Sequence, residues 1–224
     1  MALAHSPSIP TNGLMLYLDA ANLKSYPGSG STWTDMINAK AFSATGSPTY
    51  NSAGYFTFNG STDYFSNSTL SSFALDLSTT LYVTYPTYAV SGGQKVNISY
   101  RSGSGGQLYI GTQSGSIFSY YDSLSTSGYV VGAVTTNAWN VCAVVTDSVN
   151  GTMSHYVNGI LGGTAGSRTG FSTATKPALF IGYDPGGTNE YFQGRISQVM
   201  TYNRVLSAAE ILQIFDALRG RYGI

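Results

Sequence analysis

The chain has 224 residues and a net charge of zero, and only 9% of its residues are charged, against roughly 25% in average domains. Hydrophobic residues at 42% exclude a disordered chain, and the balanced charge offers no electrostatic case for nucleic acid or an anionic membrane. A single cysteine excludes an internal disulfide, and no apolar run approaches the roughly eighteen residues of a membrane span.

Residues 1–12 carry Pro7 and Pro10 and are expected to form an extended arm. They show no charged segment followed by an apolar one, so no secretory signal is read there. An arm without a core of its own orders on a partner, which makes it the expected anchor or self-association contact. Leu14–Asp19 (LMLYLD) reads as the first strand, and Pro27-Gly28-Ser29-Gly30 as a turn cluster before an ordered stretch opening at Trp33. Tyr55–Phe58 is a strand closed by the turn dipeptide Asn59-Gly60. Short strand patterns then recur at 81–90, 95–101, 107–111, 116–121, 129–134, 139–147, 153–158, 178–183 and 193–202, separated by Gly, Ser and Asn clusters. This spacing predicts an all-β sandwich or barrel. The glycine-rich stretch 102–106 reads as a hairpin loop. No linker divides two cores, so residues 13–224 read as one domain.

Cys142 lies within a buried strand pattern (VCAVV) and is expected to be inert. His155 reads as a polar strand residue, because neither His5 nor Cys142 gives it metal-ligand spacing. Four Asn-x-Ser/Thr sequons, at Asn59, Asn67, Asn97 and Asn150, follow from the abundance of those residues. Tyr82, Tyr85, Tyr88, Tyr120, Tyr121 and Tyr129 read either as half-buried strand residues or as aromatic faces for a sugar or a protein.

The closing segment, Tyr191–Ile224, reads as a strand, a polar break at Asn203-Arg204 and an amphipathic helix. Ile196, Val199 and Met200 are its expected buried strand residues. Ser207 with Glu210 forms a capping-box pattern, and Ile211, Leu212, Phe215 and Leu218 are expected on the buried helix face. No comparable helix is read elsewhere. The four arginines of this stretch, Arg195, Arg204, Arg219 and Arg221, read as solvated or helix-end charges.

Several of these segments carry a family resemblance. Phe58-Asn59-Gly60-Ser61-Thr62-Asp63 resembles the Phe-x-Gly-x-x-Asp turn of laminin-G-like domains. Trp139-Asn140-Val141 with His155-Tyr156-Val157-Asn158-Gly159, and Leu179–Asp184, resemble further strands of the same domains. Gly194-Arg195-Ile196, Tyr202–Ser207 and Glu210-Ile211 are similar to their C-terminal signature. The resemblance implies a concanavalin A-like jelly roll: an all-β sandwich of two antiparallel sheets with one C-terminal helix. It also implies a core position for Trp139 between the sheets. Ser197-Gln198 depart from the family, which often has Asp-Glu there. The ending at Arg219–Ile224 is similar to domains in virion proteins of tailed bacteriophages.

In some relatives loop carboxylates hold calcium, which makes Asp63 and Asp184 the calcium candidates here, with Glu190 and Asp122 behind them. Calcium needs six to eight oxygens, so a structural turn is the favoured role of Asp63. No other cofactor is implied. The loop 185–190 following Tyr183-Asp184 reads as a long hairpin turn. Its alternative is a ligand site built from Tyr183, Asp184, Asn189, Glu190 and Tyr191.

A glycan hydrolase on this fold needs two carboxylates flanking the bond. Of the ten acidic residues no two are closer than six positions, so no strand carries an i, i+2 or i, i+4 pair. Catalytic residues are therefore not expected. The expectation is a non-enzymatic virion structural protein, a capsid decoration or a tail or fibre component, made in the bacterial host cytoplasm and carried on the particle surface. Its expected partners are other virion proteins, further copies of itself or host surface glycans. A carbohydrate-binding adhesion module is the alternative, and a glycan-active enzyme ranks third.

Overall fold

The computed structural model describes residues 7–70, 74–87, 94–101, 107–113, 115–121, 129–165, 176–187 and 189–224. In chain order the strands begin with β1 (Leu14–Asp19), β2 (Thr32–Thr34), β3 (Ala41–Thr45), β4 (Thr49–Asn51), β5 (Tyr55–Asn59) and β6 (Tyr64–Asn67). They continue with β7 (Leu77–Pro86), β8 (Lys95–Arg101), β9 (Gln107–Gln113), β10 (Ser116–Tyr121) and β11 (Tyr129–Ala133). The last are β12 (Asn140–Asp147), β13 (Thr152–Val157), β14 (Ile160–Ala165), β15 (Ala178–Ile181) and β16 (Gln193–Tyr202), followed by helix α1 (Ala208–Tyr222).

The strands form two antiparallel sheets. Sheet I runs β14-β13-β12-β7-β16-β5-β4, and β1 pairs with the C-terminal half of β16. Sheet II runs β11-β10-β9-β8-β15-β6-β3-β2. The fold is the expected all-β two-sheet sandwich with one C-terminal helix. The sequence reading missed β2, β3, β4, β6 and β14, which are three to six residues long and largely half-exposed. Such segments carry too little apolar content to stand out. It also began β7 four residues late, at the point where hydroxyl residues give way to Leu81.

Two apolar layers hold the molecule. Between the sheets pack Leu16, Trp33, Phe42, Phe56, Phe65, Ile98, Ile110, Leu179, Ile196 and Val199, all at most 1% exposed. On the outer face of sheet I, Leu81, Val83, Val141, Ala143, Met200 and Tyr202 are covered by Ile211, Ile214 and Leu218 of α1. The central strands β7, β12 and β16 are thus buried on both faces. Ile196 and Val199 share the inner face although three residues apart, because a bulge between Ile196 and Gln198 inserts an extra residue.

The helix begins as its sequence indicates. Ser207 Oγ accepts from the Glu210 amide, and the Glu210 carboxylate accepts from the Ser207 amide at 2.9 Å. Gly223 closes it in the left-handed conformation at φ 69°. The buried face differs in one position: Leu212 is 46% exposed and Ile214 is buried instead. Each residue advances about 100° around the axis, so Leu212 stands one step off the stripe of Ile211, Ile214 and Leu218.

One other expectation is corrected. Trp139 is not in the inter-sheet core; it is half-buried on the helix side, against Tyr55, Tyr85 and Tyr222. Trp33 fills the inter-sheet position instead. The described part of the arm is held by its own chain. Gln213 donates to Ser8 O at 2.6 Å, Tyr202 Oη to Pro10 O at 2.9 Å and Arg204 Nε to Asn12 O at 2.8 Å. Of the terminal arginines, Arg219 and Arg221 stand in the last turn of α1 as expected, and Arg204 and Arg221 also form partly buried ion pairs with Glu210 and Asp19.

Cys142 is fully buried, and burial pushes its thiol up to about 12. His155 faces the inter-sheet interior, with Nε2 2.7 Å from Ser119 Oγ, and burial lowers it to about 4, so it stays neutral. Among the described residues no helix is long and apolar enough to cross a membrane. The expected hairpin at 102–106, Asp122 and Tyr88 lie outside the described residues.

The cap gives a stability test. Ser207→Ala is expected to cost about 1 kcal/mol in urea denaturation. Hydrogen bonds from Arg204 and the Ser207 amide hold the Glu210 carboxyl down at about 2, below its ordinary 4.5. Its contribution is therefore present above pH 4.5 and is lost as the pH falls towards 2. Glu210→Gln is expected to remove that part of the acid dependence.

Candidate functional site on sheet II

The site grows from the end of β15. Gly182 has φ +91°, and a Cβ there would lie 2.6 Å from the Phe58 ring, so only glycine lets the chain turn outward at this point. Its amide donates to Asn97 O at 2.8 Å, and its carbonyl accepts from the Phe192 amide at 2.9 Å. These two bonds close the base of the segment carrying Tyr183, Asp184, Asn189, Glu190 and Tyr191, and fold it onto the outer face of sheet II.

Asp184 is 1% exposed and serves as the anchor. Its Oδ1 accepts from Ser99 Oγ at 2.6 Å and from Arg101 Nε at 2.7 Å, and its Oδ2 from Arg101 Nη2. The bidentate guanidinium and the hydroxyl together satisfy a buried charge that would otherwise be costly. Glu190 lies against this pair. Burial, and next the Asp184 charge, raise its carboxyl above the ordinary glutamate value. Its Oε2 is buried and accepts no hydrogen bond among the described residues. Gly187 makes room for it, since a Cβ there would sit 2.1 Å from the Glu190 carboxyl carbon. Asn189 is exposed at φ 60°, and its carbonyl accepts from Lys95 Nζ at 3.3 Å.

Around the anchor stands an aromatic row. Tyr183 and Tyr191 stack at 4.2 Å with rings 14° apart, and Tyr64 lies 5.0 Å from Tyr183. Phe180 is 6.1 Å from Tyr64. Strand register sets these beside a second pair, because Tyr120, Tyr109, Ser99, Phe180, Ser66 and Ser43 lie opposite one another across five strand pairings. Tyr109 and Tyr120 stack at 5.1 Å and 15°. At the other end of the row, a polar depression of about 320 Å³ is lined by Ala41, Ser43, Ser66, Asn67, Ser68 and Thr69. All six aromatic side chains are half-buried. The face thus offers apolar ring surface, tyrosine hydroxyls and a hydroxyl-lined hollow on a rigid sheet.

The structure brings together Tyr183, Asp184, Glu190 and Tyr191, with Asn189 at the rim. Asp63 belongs elsewhere: its oxygens accept the Ser47 amide at 2.8 Å and the Asn59 amide at 3.1 Å, which makes it the structural residue of the turn after β5. Among the described residues no three His, Cys, Asp or Glu side chains gather as a metal group. Asp63 is spent on amides and Asp184 on Arg101 and Ser99, so these residues do not fit the oxygen cage of calcium. Of the tyrosines singled out in the sequence, Tyr120 lies on this face, Tyr82 and Tyr121 are in the inter-sheet core, and Tyr85 is on the opposite sheet. Sequence reasoning missed Tyr64, Ser99, Arg101, Tyr109 and Phe180. Their alternation with Phe65, Ile98, Tyr100, Ile110 and Leu179 was the available signal.

The family model of the concanavalin A-like lectin/glucanases superfamily, in its laminin G form, matches residues 54–212, and the chain belongs to that family. The Trypanosoma rangeli sialidase, solved with 2,3-difluoro-KDN, is similar at a TM-score of 0.72 and 17% identity over 95% of this chain and 34% of that one. The botulinum neurotoxin serotype D binding domain is similar at 0.69 and 13% identity, over 91% of this chain and 51% of that one. The receptor-binding domain of the C/D mosaic serotype gives the same values. The chain spans about a third of the sialidase and about half of the neurotoxin chains, and at these identities the likeness is one of fold. No curated protein matches the sequence.

Arg101→Met is expected to destabilise the protein by about 3–5 kcal/mol in denaturant melts, because it strands Asp184 as a buried charge. Glu190 behaves oppositely. A carboxyl raised in the folded state favours folding fully below its ordinary 4.5 and loses that advantage as the pH rises through its folded value. Glu190→Gln is therefore expected to leave stability unchanged at pH 4 and raise it at pH 8, read by paired thermal melts.

Proposed function

We propose that this chain is a non-catalytic recognition domain that binds carbohydrate on the outer face of sheet II. The observation that carries the reading is the row of half-buried aromatic rings, Tyr64, Phe180, Tyr183 and Tyr191, beside the hydroxyl-lined hollow. A pyranose has one face of C–H bonds and an equator of hydroxyls. Aromatic faces carry partial negative charge and attract the first; serine, threonine and asparagine side chains pair with the second. The receptor-binding role of the neurotoxin neighbours supports recognition as the general task.

Catalysis is not part of the proposal. A glycosidase holds its carboxylates about 5–10 Å apart across a space for sugar. Here the Asp184 charge raises the Glu190 carboxyl, and Asp184 is covered by Arg101 and Ser99. The sialidase activity of the longer neighbour is not carried over.

The finer reading is a virion structural protein, a decoration, tail or fibre component made in a bacterial cytoplasm and carried on the particle. The closing segment's resemblance to tailed-phage virion domains and the charge-poor, hydroxyl-rich composition support it. Its partners would then be other virion proteins or further copies of the chain, with glycan contact at the host surface. Presence of the chain in purified particles tests this part, and its confinement to the cytosol would overturn it.

The binding reading is tested by a glycan array followed by calorimetry on the best neutral saccharide. Tyr183→Ala with Tyr191→Ala is expected to weaken binding about tenfold or more, the size of aromatic hot spots. Unchanged affinity would overturn the assignment of the face. Saccharide hydrolysis abolished by Asp184→Asn would overturn the non-catalytic reading.

A further inference from the structure

The opposite side of the molecule carries a different chemistry. Helix α1 covers only part of the outer face of sheet I. Beyond its C-terminal end stand Tyr55, Tyr85 and Arg195 of the strands and Trp139 just before β12, all half-buried. The Arg195 guanidinium lies 4.5 Å from the Tyr85 ring centre and 5.0 Å from that of Tyr55. Trp139 touches both tyrosines, at 5.4 and 5.6 Å, and Tyr222 at 5.0 Å.

Arg195 differs from the other arginines of the described residues. Arg101, Arg204, Arg219 and Arg221 are each paired with a carboxylate. Among the described residues Arg195 has no acidic partner and its guanidinium donates no hydrogen bond; its contacts are the two rings. Cation–π contact holds the side chain in place without using its N–H groups. What remains is a positioned fork of donors with nothing to accept from it, and that fork matches the two oxygens of a carboxylate or the oxygens of a sulfate. Beside it Trp139 offers ring surface. Thr57, directly opposite Arg195, and Gln193, two residues before it, are exposed and supply neutral polar groups.

We propose that Arg195, Tyr55, Tyr85 and Trp139 form a second binding site, specific for acidic saccharide: a sugar ring on Trp139 with its carboxylate or sulfate on Arg195. The site is separate from the face of sheet II and stands whether or not that face binds neutral sugar. With a net charge of zero on the whole chain, the attraction is local to this arginine.

The test uses the full chain and three probes: an oligogalacturonate, its methyl ester and a sulfated galactan oligosaccharide. The expected result is binding of at least one charged probe, with the uncharged ester weaker by on the order of tenfold. Arg195→Gln is expected to weaken the charged probe to the level of the ester, and Arg195→Lys to fall between, since lysine keeps the charge and loses the fork. Carboxylate and sulfate sources are distinguished by which charged probe binds. Tryptophan emission provides a readout that needs no arginine variant to fold. Trp33 is buried between the sheets and Trp139 borders the site, so emission should change on titration of the wild type and not in Trp139→Phe. Equal binding of acid and ester, full binding by Arg195→Gln, or no binding of either charged probe at millimolar concentration would overturn the proposal.

Discussion

One partly buried ion pair, Arg221 with Asp19, joins the two ends of the fold. Arg221 Nη1 donates to both Asp19 oxygens, at 2.9 and 3.0 Å, and so fixes the end of α1 to the end of β1. The same guanidinium donates to Gly54 O and to Ser197 Oγ, each at 3.2 Å. Ser197 Oγ in turn donates to Gly54 O and accepts from Tyr222 Oη at 2.8 Å. Gly54 carries no side chain, and a Cβ there would sit 2.8 Å from Arg221 Nη2. Helix, first strand, last strand and the turn before β5 therefore meet at one hydrogen-bonded point. Here the departure from the family at Ser197-Gln198 acquires a physical account. A carboxylate at either position would stand beside Asp19 and compete with it for Arg221, whereas Ser197 relays the network and Gln198 donates to Asp19 at 3.4 Å.

Fixing the helix on sheet I has consequences for both faces of the sandwich. The helix buries the apolar half of that sheet and leaves the aromatic end with Arg195 uncovered. Among the described residues no helix packs on sheet II, and its outer face is formed by side chains that alternate outward from β6, β8, β9, β10 and β15. Among the described residues these include Tyr64, Ser99, Arg101, Tyr109, Phe118, Tyr120 and Phe180, and the buried Arg101–Asp184 pair turns the face into a platform for Tyr183, Glu190 and Tyr191. Two faces of different character follow from one asymmetry: neutral and hydroxyl-rich on sheet II, aromatic with a single positioned cation on sheet I.

The closing segment was legible because its signals are local. A capping box needs only Ser207 and Glu210, and a helix stripe only a period near 3.6, so both could be read within a few residues. Even there, Leu212 for Ile214 shows the margin of a pattern read without a surface to pack on. The candidate loop was legible in outline, since Tyr183, Asp184, Asn189, Glu190 and Tyr191 are close in sequence. Its partners were not. Ser99 and Arg101 are more than eighty residues from Asp184, and only strand register brings them beneath it. Trp139 failed for a related reason: its apolar surface was plain, but which of two apolar layers it joins is decided by where the helix lies.

By itself the sequence determined the class of fold, the helix and its cap, and the absence of paired carboxylates along any strand. These depend on residue type and short spacing. The tertiary structure alone decided that Asp184 anchors its loop on Arg101 and Ser99, that Glu190 is held against it with a raised carboxyl, and that Asp63 bonds the amides of a turn. It alone decided that Arg195 stands against two rings with no acidic partner among the described residues. Each of these is a relation between strands far apart in the chain, fixed by hydrogen-bond register and by which face of each sheet is covered. A linear pattern carries neither.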